Sequence, residues 1–151
     1  MTPRNYKELC ELHDALYARG LRILCFPCNQ FGKQEQGGPE EIRAFADGYG
    51  VKFDMFAKID VNGSNAHPVF RFLRKALPDI LGSSIKWNWT KFLVDRDGKP
   101  IQRFSPPANP LSLKPAIEDL LGRSASTPEL VAPTAPEAAA PAAATPAEDK
   151  I

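Results

Sequence analysis

The segment Leu21-Arg22-Ile23-Leu24-Cys25-Phe26 constrains the fold more than any other. It is short and almost wholly apolar, it does not alternate, and Pro27 closes it. Such a run reads as a strand covered on both faces. Ahead of it, Leu9, Leu12 and Leu16 recur at helical spacing between Asn5 and Arg19, with Tyr6, His13 and Tyr17 alongside. Asn5 is placed to cap that helix and Gly20 to stop it. A helix that feeds a doubly covered strand calls for a layered α/β arrangement.

The rest of the chain extends the pattern. Pro39 opens a helix with Glu40 and Glu41 in its first turn, turns Ile42, Phe45 and Ala46 inward and ends near Gly48. Phe56 to Val61 reads as a second strand, closed by Asn62-Gly63. Pro68 opens a third helix with the stripe Val69, Phe70, Leu73 and Leu77. Lys91–Asp95 and Ile101–Phe104 flank Asp97-Gly98, a hairpin signal. Pro115 starts a last helix with Ile117, Leu120 and Leu121, stopped by Gly122. The order α-β-α-β-α-β-β-α predicts a mixed central sheet with flanking helices. It begins on a helix, where a layered domain would begin on a central strand, so the first strand is expected to be missing.

Residues 123–151 differ in kind. These 29 residues hold ten alanines, five prolines and no aromatic side chain. They bury too little apolar surface to offset ordering entropy, and a disordered Ala/Pro-rich tail is expected. Residues 1–122 are then the folded domain. Of the 19 basic and 18 acidic side chains, two and four fall in the tail, leaving 17 and 14 on the domain. That balance is too mild to indicate a nucleic-acid partner. No run of 18 apolar residues suggests a membrane span, and no apolar core near Met1 suggests a secretory signal. Cys10, Cys25 and Cys28 are an odd number, a poor disulfide framework that fits a reducing compartment. The default location is cytoplasmic, and an organellar leader ahead of Met1 is compatible with it.

Four stretches carry a resemblance. They are Phe26-Pro27-Cys28-Asn29-Gln30-Phe31-Gly32-Lys33-Gln34-Glu35; Lys58-Ile59-Asp60-Val61-Asn62-Gly63 with Ala66-His67-Pro68; Ile85-Lys86-Trp87-Asn88-Trp89-Thr90-Lys91-Phe92-Leu93-Val94-Asp95; and Arg103-Phe104 with Pro110-Leu111. In order and spacing, from about Thr2 to Gly122, they resemble the glutathione peroxidase family. The absence of an insert before Ile85 resembles its monomeric, phospholipid-hydroperoxide branch. The resemblance implies a thioredoxin-like fold. It also implies a peroxidase that reduces hydrogen peroxide and organic or lipid hydroperoxides with glutathione or a similar thiol, without a resident cofactor or metal. In that chemistry a selenocysteine or cysteine attacks the peroxide bond as its anion. Neutral N–H donors aimed at the chalcogen stabilise the anion. By resemblance those donors are Gln34, Trp87 and Asn88. Lys86 and Arg103 match basic positions that would attract glutathione carboxylates or lipid phosphates, which implies transient contact with a lipid surface.

The chain departs from the family at its start. The family reads nucleophile-Gly-x-Thr before the first helix, and Met1-Thr2-Pro3 matches only the last part. The nucleophile is expected two residues upstream of Met1, as a selenocysteine read as a stop, and the chain alone is expected to be inactive. The alternative is a non-catalytic remnant of a thioredoxin fold, or a binding fragment. Cys25-Phe26-Pro27-Cys28 spells C-x-x-C, the spacing of a dithiol redox site. Such a site wants its first thiol at a helix N-terminus. Cys25 lies in an apolar strand, where burial raises a thiol pKa, so Cys25, Cys28 and Cys10 are read as packing residues. No cysteine follows near Phe45-Ala46-Asp47-Gly48 to act as a resolving thiol. His13 and His67 suggest no metal pair, and His67 reads as a helix-entry residue.

Overall fold

The computed structural model describes residues 1–80 and 82–123. The expected Ala/Pro tail lies outside the described residues, Arg123 excepted. Helix α1 (Thr2–Leu16) carries Pro3 in its first turn and buries Tyr6, Leu12, His13 and Leu16. It begins earlier than leucine spacing suggests. Asn5 is therefore not its cap: the side chain is buried inside the helix, and its Nδ2 donates to the Met1 carbonyl at 3.0 Å. A tight 3₁₀ turn at Tyr17–Arg19 follows. Gly20 ends it in the left-handed region at φ 111° and donates to the Tyr17 carbonyl at 3.0 Å.

Strand β1 (Leu24–Cys25) pairs in parallel with the next strand, β2 (Asp54–Met55), with Leu24 opposite Asp54. Both are shorter than, or offset from, the runs Leu21–Phe26 and Phe56–Val61 that the sequence suggests. Hydrogen bonding continues past the ladder, from Phe56 N–H to Cys25 O at 2.8 Å and from Ile59 N–H to Pro27 O at 2.9 Å. Pro27 accepts but has no N–H to return, so regular pairing stops there. Between the two strands lies helix α2 (Pro39–Asp47), whose first turn is closed by Gly38 N–H donating to the Glu41 carboxylate at 2.8 Å. Ile42 and Ala46 are buried, but Phe45 does not turn inward as expected: it is 54% exposed. Its ring meets Tyr6 and Tyr49 edge-on, with centroids 6.1 and 5.4 Å apart.

Helix α3 (Pro68–Ala76) opens at His67, whose Nδ1 accepts from the Val69 amide at 3.3 Å. The hairpin forms as read: β3 (Lys91–Val94) runs antiparallel to β4 (Pro100–Phe104), with Phe92 opposite Arg103. Its turn is tied by the Asp95 carboxylate, which accepts from the amides of Asp97 and Lys99 at 3.0 and 2.9 Å. A 3₁₀ turn at Pro110–Leu113 leads into helix α4 (Lys114–Gly122), which buries Ile117 and Leu120. No helix among the described residues is long and apolar enough to cross a membrane.

The expected central sheet is present as two halves. Strands β1 and β2 form one two-stranded sheet, and β3 and β4 form another. The core divides likewise. One buried cluster gathers Tyr6, Ala46, Val51 and Phe53. A second gathers Leu12, Leu16, Leu113 and Ile117. A third gathers Cys28, Phe31, Val61 and Ile85. A groove of about 1230 Å³ runs between the two half-sheets, lined by β1 and β3 and by residues of all four helices.

Candidate active site

Gln34 sits in the loop between β1 and α2. That loop turns sharply, with Gly32 at φ 63° and Lys33 at φ 51°. It is held close to Gln34. Asn29 Oδ1 accepts from the Glu35 amide at 2.9 Å. Lys58 Nζ donates to the carbonyls of Glu35 and Gly37 at 2.7 and 2.8 Å. Gln30 Oε1 accepts from the amides of Val61 and Asn62, each at 2.9 Å, which fastens the loop to the segment after β2.

Trp87 and Asn88 lie on the turn that enters β3. Thr90 Oγ1 donates to the Trp87 carbonyl at 3.0 Å and closes that turn. The preceding segment is anchored at Ile85, where the Asn62 side chain pairs with both backbone groups. Asn62 Nδ2 donates to Ile85 O at 2.8 Å, and Asn62 Oδ1 accepts from Ile85 N–H at 2.9 Å. Arg74 donates to the same Oδ1 at 2.7 Å.

These two loops meet. Asn88 Nδ2 donates to Gln34 Oε1 at 3.2 Å, across 54 positions of sequence. Trp87 is 41% exposed, and its ring lies 5.9 Å from that of buried Phe31. Gln34, Trp87 and Asn88 all line the groove, together with Thr2 and Glu35. The amide NH₂ of Gln34, free of that contact, and the Trp87 indole are neutral donors at the groove's edge. Burial raises the Glu35 carboxyl above the usual carboxylate range, against the pull of Lys58.

The basic residues stand differently. Arg103 donates to the Ser83 and Ser84 carbonyls at 3.1 and 2.9 Å, and its guanidinium lies 5.6 Å from the Phe92 ring centroid. It thus braces the segment leading to Trp87. Lys86 is exposed on that same segment. Neither residue lines the groove.

Two participants were not singled out from sequence. Trp89 has a left-handed backbone, φ 64°. Its indole donates to Thr2 Oγ1 at 3.2 Å and meets Tyr6 edge-on at 5.0 Å. Lys91 donates to the carbonyls of Ala108 and Pro106 at 2.8 and 3.4 Å, and burial pulls its pKa down to about 8. No local pattern marks either. As for the thiols, Cys25 lies in β1 and burial pushes its pKa up to about 11, the direction opposite to a redox dithiol. Cys28 is buried, with its Sγ 3.7 Å from Gln30 Oε1, and Cys10 Sγ donates to the Tyr49 carbonyl at 3.6 Å. Among the described residues no group of three or more His, Cys, Asp or Glu side chains could hold a metal ion.

A family model described as glutathione peroxidase matches residues 1–74. A probable phospholipid hydroperoxide glutathione peroxidase of Mesembryanthemum crystallinum is 48% identical over 125 residues, which cover 82% of this chain and 74% of the relative. The chain belongs to the glutathione peroxidase family. Within the family it falls with the phospholipid-hydroperoxide branch. A phospholipid hydroperoxide glutathione peroxidase of Pongo pygmaeus is 53% identical over 116 residues, covering 75% of this chain and 58% of that one. The crystal structure of T. cruzi GPX1 is similar, with a TM-score of 0.63, 36% identity, and coverage of 78% of this chain and 71% of that one. The thioredoxin-like α/β fold of glutathione peroxidases is therefore the fold of this chain, realised as the two half-sheets described above.

Proposed function

We propose that these residues form the polarising wall of a thiol-dependent peroxidase site. The substrates are hydrogen peroxide and organic or lipid hydroperoxides, and glutathione or a similar thiol is the reductant, with no resident cofactor. Gln34, Trp87 and Asn88 donate to the chalcogen anion of a selenocysteine or cysteine. That anion attacks one peroxide oxygen, the O–O bond breaks, and the other oxygen leaves as alkoxide and takes up a proton. The selenenic or sulfenic acid so formed is returned to its starting state by two thiols, which leave as a disulfide with one water. One observation supports the reading above all: the Asn88–Gln34 contact at 3.2 Å, which joins donors from distant loops at one edge of an apolar groove. Neutral donors suit this step, since they stabilise an anion and titrate at no ordinary pH. Lys86 beside Trp87 supplies positive charge toward a glutathione carboxylate or a lipid phosphate.

The test places a cysteine or selenocysteine two residues ahead of Met1 and follows glutathione-dependent turnover of a phospholipid hydroperoxide. Gln34→Ala and Asn88→Ala should each lower kcat/KM by about 10²–10³. Turnover that survives both changes would refute the assignment.

A further inference from the structure

We infer that a second, small cavity, beside the last turn of α1, binds a zwitterion with one carboxylate and one ammonium group, as a free α-amino acid has. The cavity stands apart from the peroxidase reading: none of Gln34, Trp87 and Asn88 lines it. Its walls are His13 and Tyr17 after the middle of α1, Arg22 just ahead of β1, and Lys52, Phe53 and Asp54 where β2 begins. The volume is about 130 Å³, several times what one water needs. It is well below the roughly 300–1,000 Å³ of pockets for drug-sized ligands, so the occupant has few heavy atoms. His13 is a buried wall. The residue is 9% exposed, and its Nδ1 is shut from water without a hydrogen-bond partner. A sealed nitrogen costs less as a bare lone pair than as a stranded N–H. That assigns the ring proton to Nε2, which is not sealed and becomes a neutral donor for the occupant.

The charges decide the class of ligand. Lys52 is already paired with Asp14 at 3.0 Å. Arg22 and Asp54 are paired neither with each other nor with any other charged side chain among the described residues. Arg22 is nonetheless fixed in place. Its Nη1 donates to the Tyr17 and Leu21 carbonyls at 3.0 and 2.8 Å, and its guanidinium lies 4.0 Å from the Tyr17 ring centroid. Both bonds use Nη1, so Nη2 and Nε are left as a fork that fits a carboxylate with two parallel bonds. Asp54 is fixed by its place in the ladder opposite Leu24. A simple anion in this cavity would face the Asp54 carboxylate, and a simple cation would face Arg22. A zwitterion satisfies both, with its carboxylate on Arg22 and the His13 imidazole and its ammonium on Asp54.

The experiment uses the full 151-residue chain and three probes: L-alanine, acetate and ethylammonium. The chain has two histidines, so imidazole NMR signals read the site directly. His67, whose Nδ1 accepts from the Val69 amide, lies outside the cavity and serves as the internal control. L-alanine should shift the His13 signals saturably, with half the effect at about 1–10 mM, and leave those of His67 in place. Acetate and ethylammonium, each carrying one of the two charges, should bind about tenfold more weakly or worse. Arg22→Gln and Asp54→Asn, both at exposed positions, should each weaken L-alanine about tenfold. No saturable shift of His13 by about 100 mM L-alanine overturns the inference. So does acetate binding as tightly as L-alanine, which would mark a simple anion site. Undiminished binding in either variant overturns it too, since the two charged ends would then have no role.

Discussion

Asn62 is the side chain on which the approach to Trp87 and Asn88 hangs. Changing Asn62→Ala removes the donor to Ile85 O, the acceptor for Ile85 N–H and the acceptor for Arg74. Ile85 is 5% exposed, so water cannot easily replace the lost partners. Two neutral hydrogen bonds at about 1 kcal/mol each and one charge-assisted bond at about 1.5–3 kcal/mol set the scale. Because bonds to one side chain are not additive, about 3 kcal/mol is the expected loss of stability. Urea unfolding should show it as a lower midpoint at unchanged slope. Native-state exchange should show the Ile85 amide opening faster than its neighbours. Asn62→Asp keeps the one oxygen that accepts from Ile85 N–H and Arg74 but sets a second carboxylate oxygen against Ile85 O in place of the donor, so it should also destabilise the chain. A loss below about 1 kcal/mol for Asn62→Ala, with Ile85 exchange unchanged, would refute the assignment of Asn62 as the anchor.

Cys25 should be a slow thiol. Its pKa of about 11 makes the thiolate about a hundredfold scarcer than at the reference value of 9.0, and the higher basicity returns about tenfold in nucleophilicity. Iodoacetamide labelling at pH 8, followed by peptide mass analysis, should find it about tenfold slower than a free thiol; labelling at the free rate would contradict its burial. The same raised value means that Cys25 contributes stability below the unfolded pKa and loses it as pH climbs from about 9 to about 11. Lys91 works in the other sense. Its pKa is lowered to about 8, so between about 8 and 10.5 the unfolded chain binds more protons, and stability rises with pH. The side chain is only half-buried, so the gain should be nearer 1 than 3 kcal/mol. It should appear as the difference between the parent and Lys91→Met in denaturation curves at pH 7.5 and 9.5; parallel pH profiles for the two would rule it out.

Local signals in the sequence marked the local structure. Pro39 and Pro68 open helices, Gly20 ends one, and Asp97-Gly98 turns the hairpin, because each acts through its own backbone or its neighbours'. What escaped depends on distant partners. The strands at Leu24–Cys25 and Asp54–Met55 are brief because a ladder needs two strands in register, and Pro27 disturbs the pairing from one side only. Phe45 follows helical spacing yet faces the groove, since the period identifies a stripe and not what stands opposite it. Gln34, Trp87 and Asn88 were found by motif resemblance, and nothing in their spacing shows that a glutamine and an asparagine 54 positions apart share a hydrogen bond. Asn62 reads as a strand-closing turn residue and Lys58 as a strand residue, and neither reading shows which distant backbone groups their side chains hold.

Trp89 shows how such a site tolerates a costly backbone. A bulky residue held at φ 64° costs about 1–3 kcal/mol. The left-handed turn gives Trp87 and Trp89 different neighbours: Trp87 stays partly exposed with its ring near Phe31, while Trp89 packs against the Tyr6 cluster. There its edge-on contact with Tyr6 is worth about 0.5–1.5 kcal/mol. Its indole hydrogen bond to Thr2 adds about 0.5–1.5 kcal/mol. The two gains offset the strain, so the turn is held by α1 rather than by its own sequence. The presentation of Trp87 and Asn88 therefore depends on how the first helix is seated, as the presentation of Gln34 depends on Lys58, and the donors meet only when both loops are held from behind.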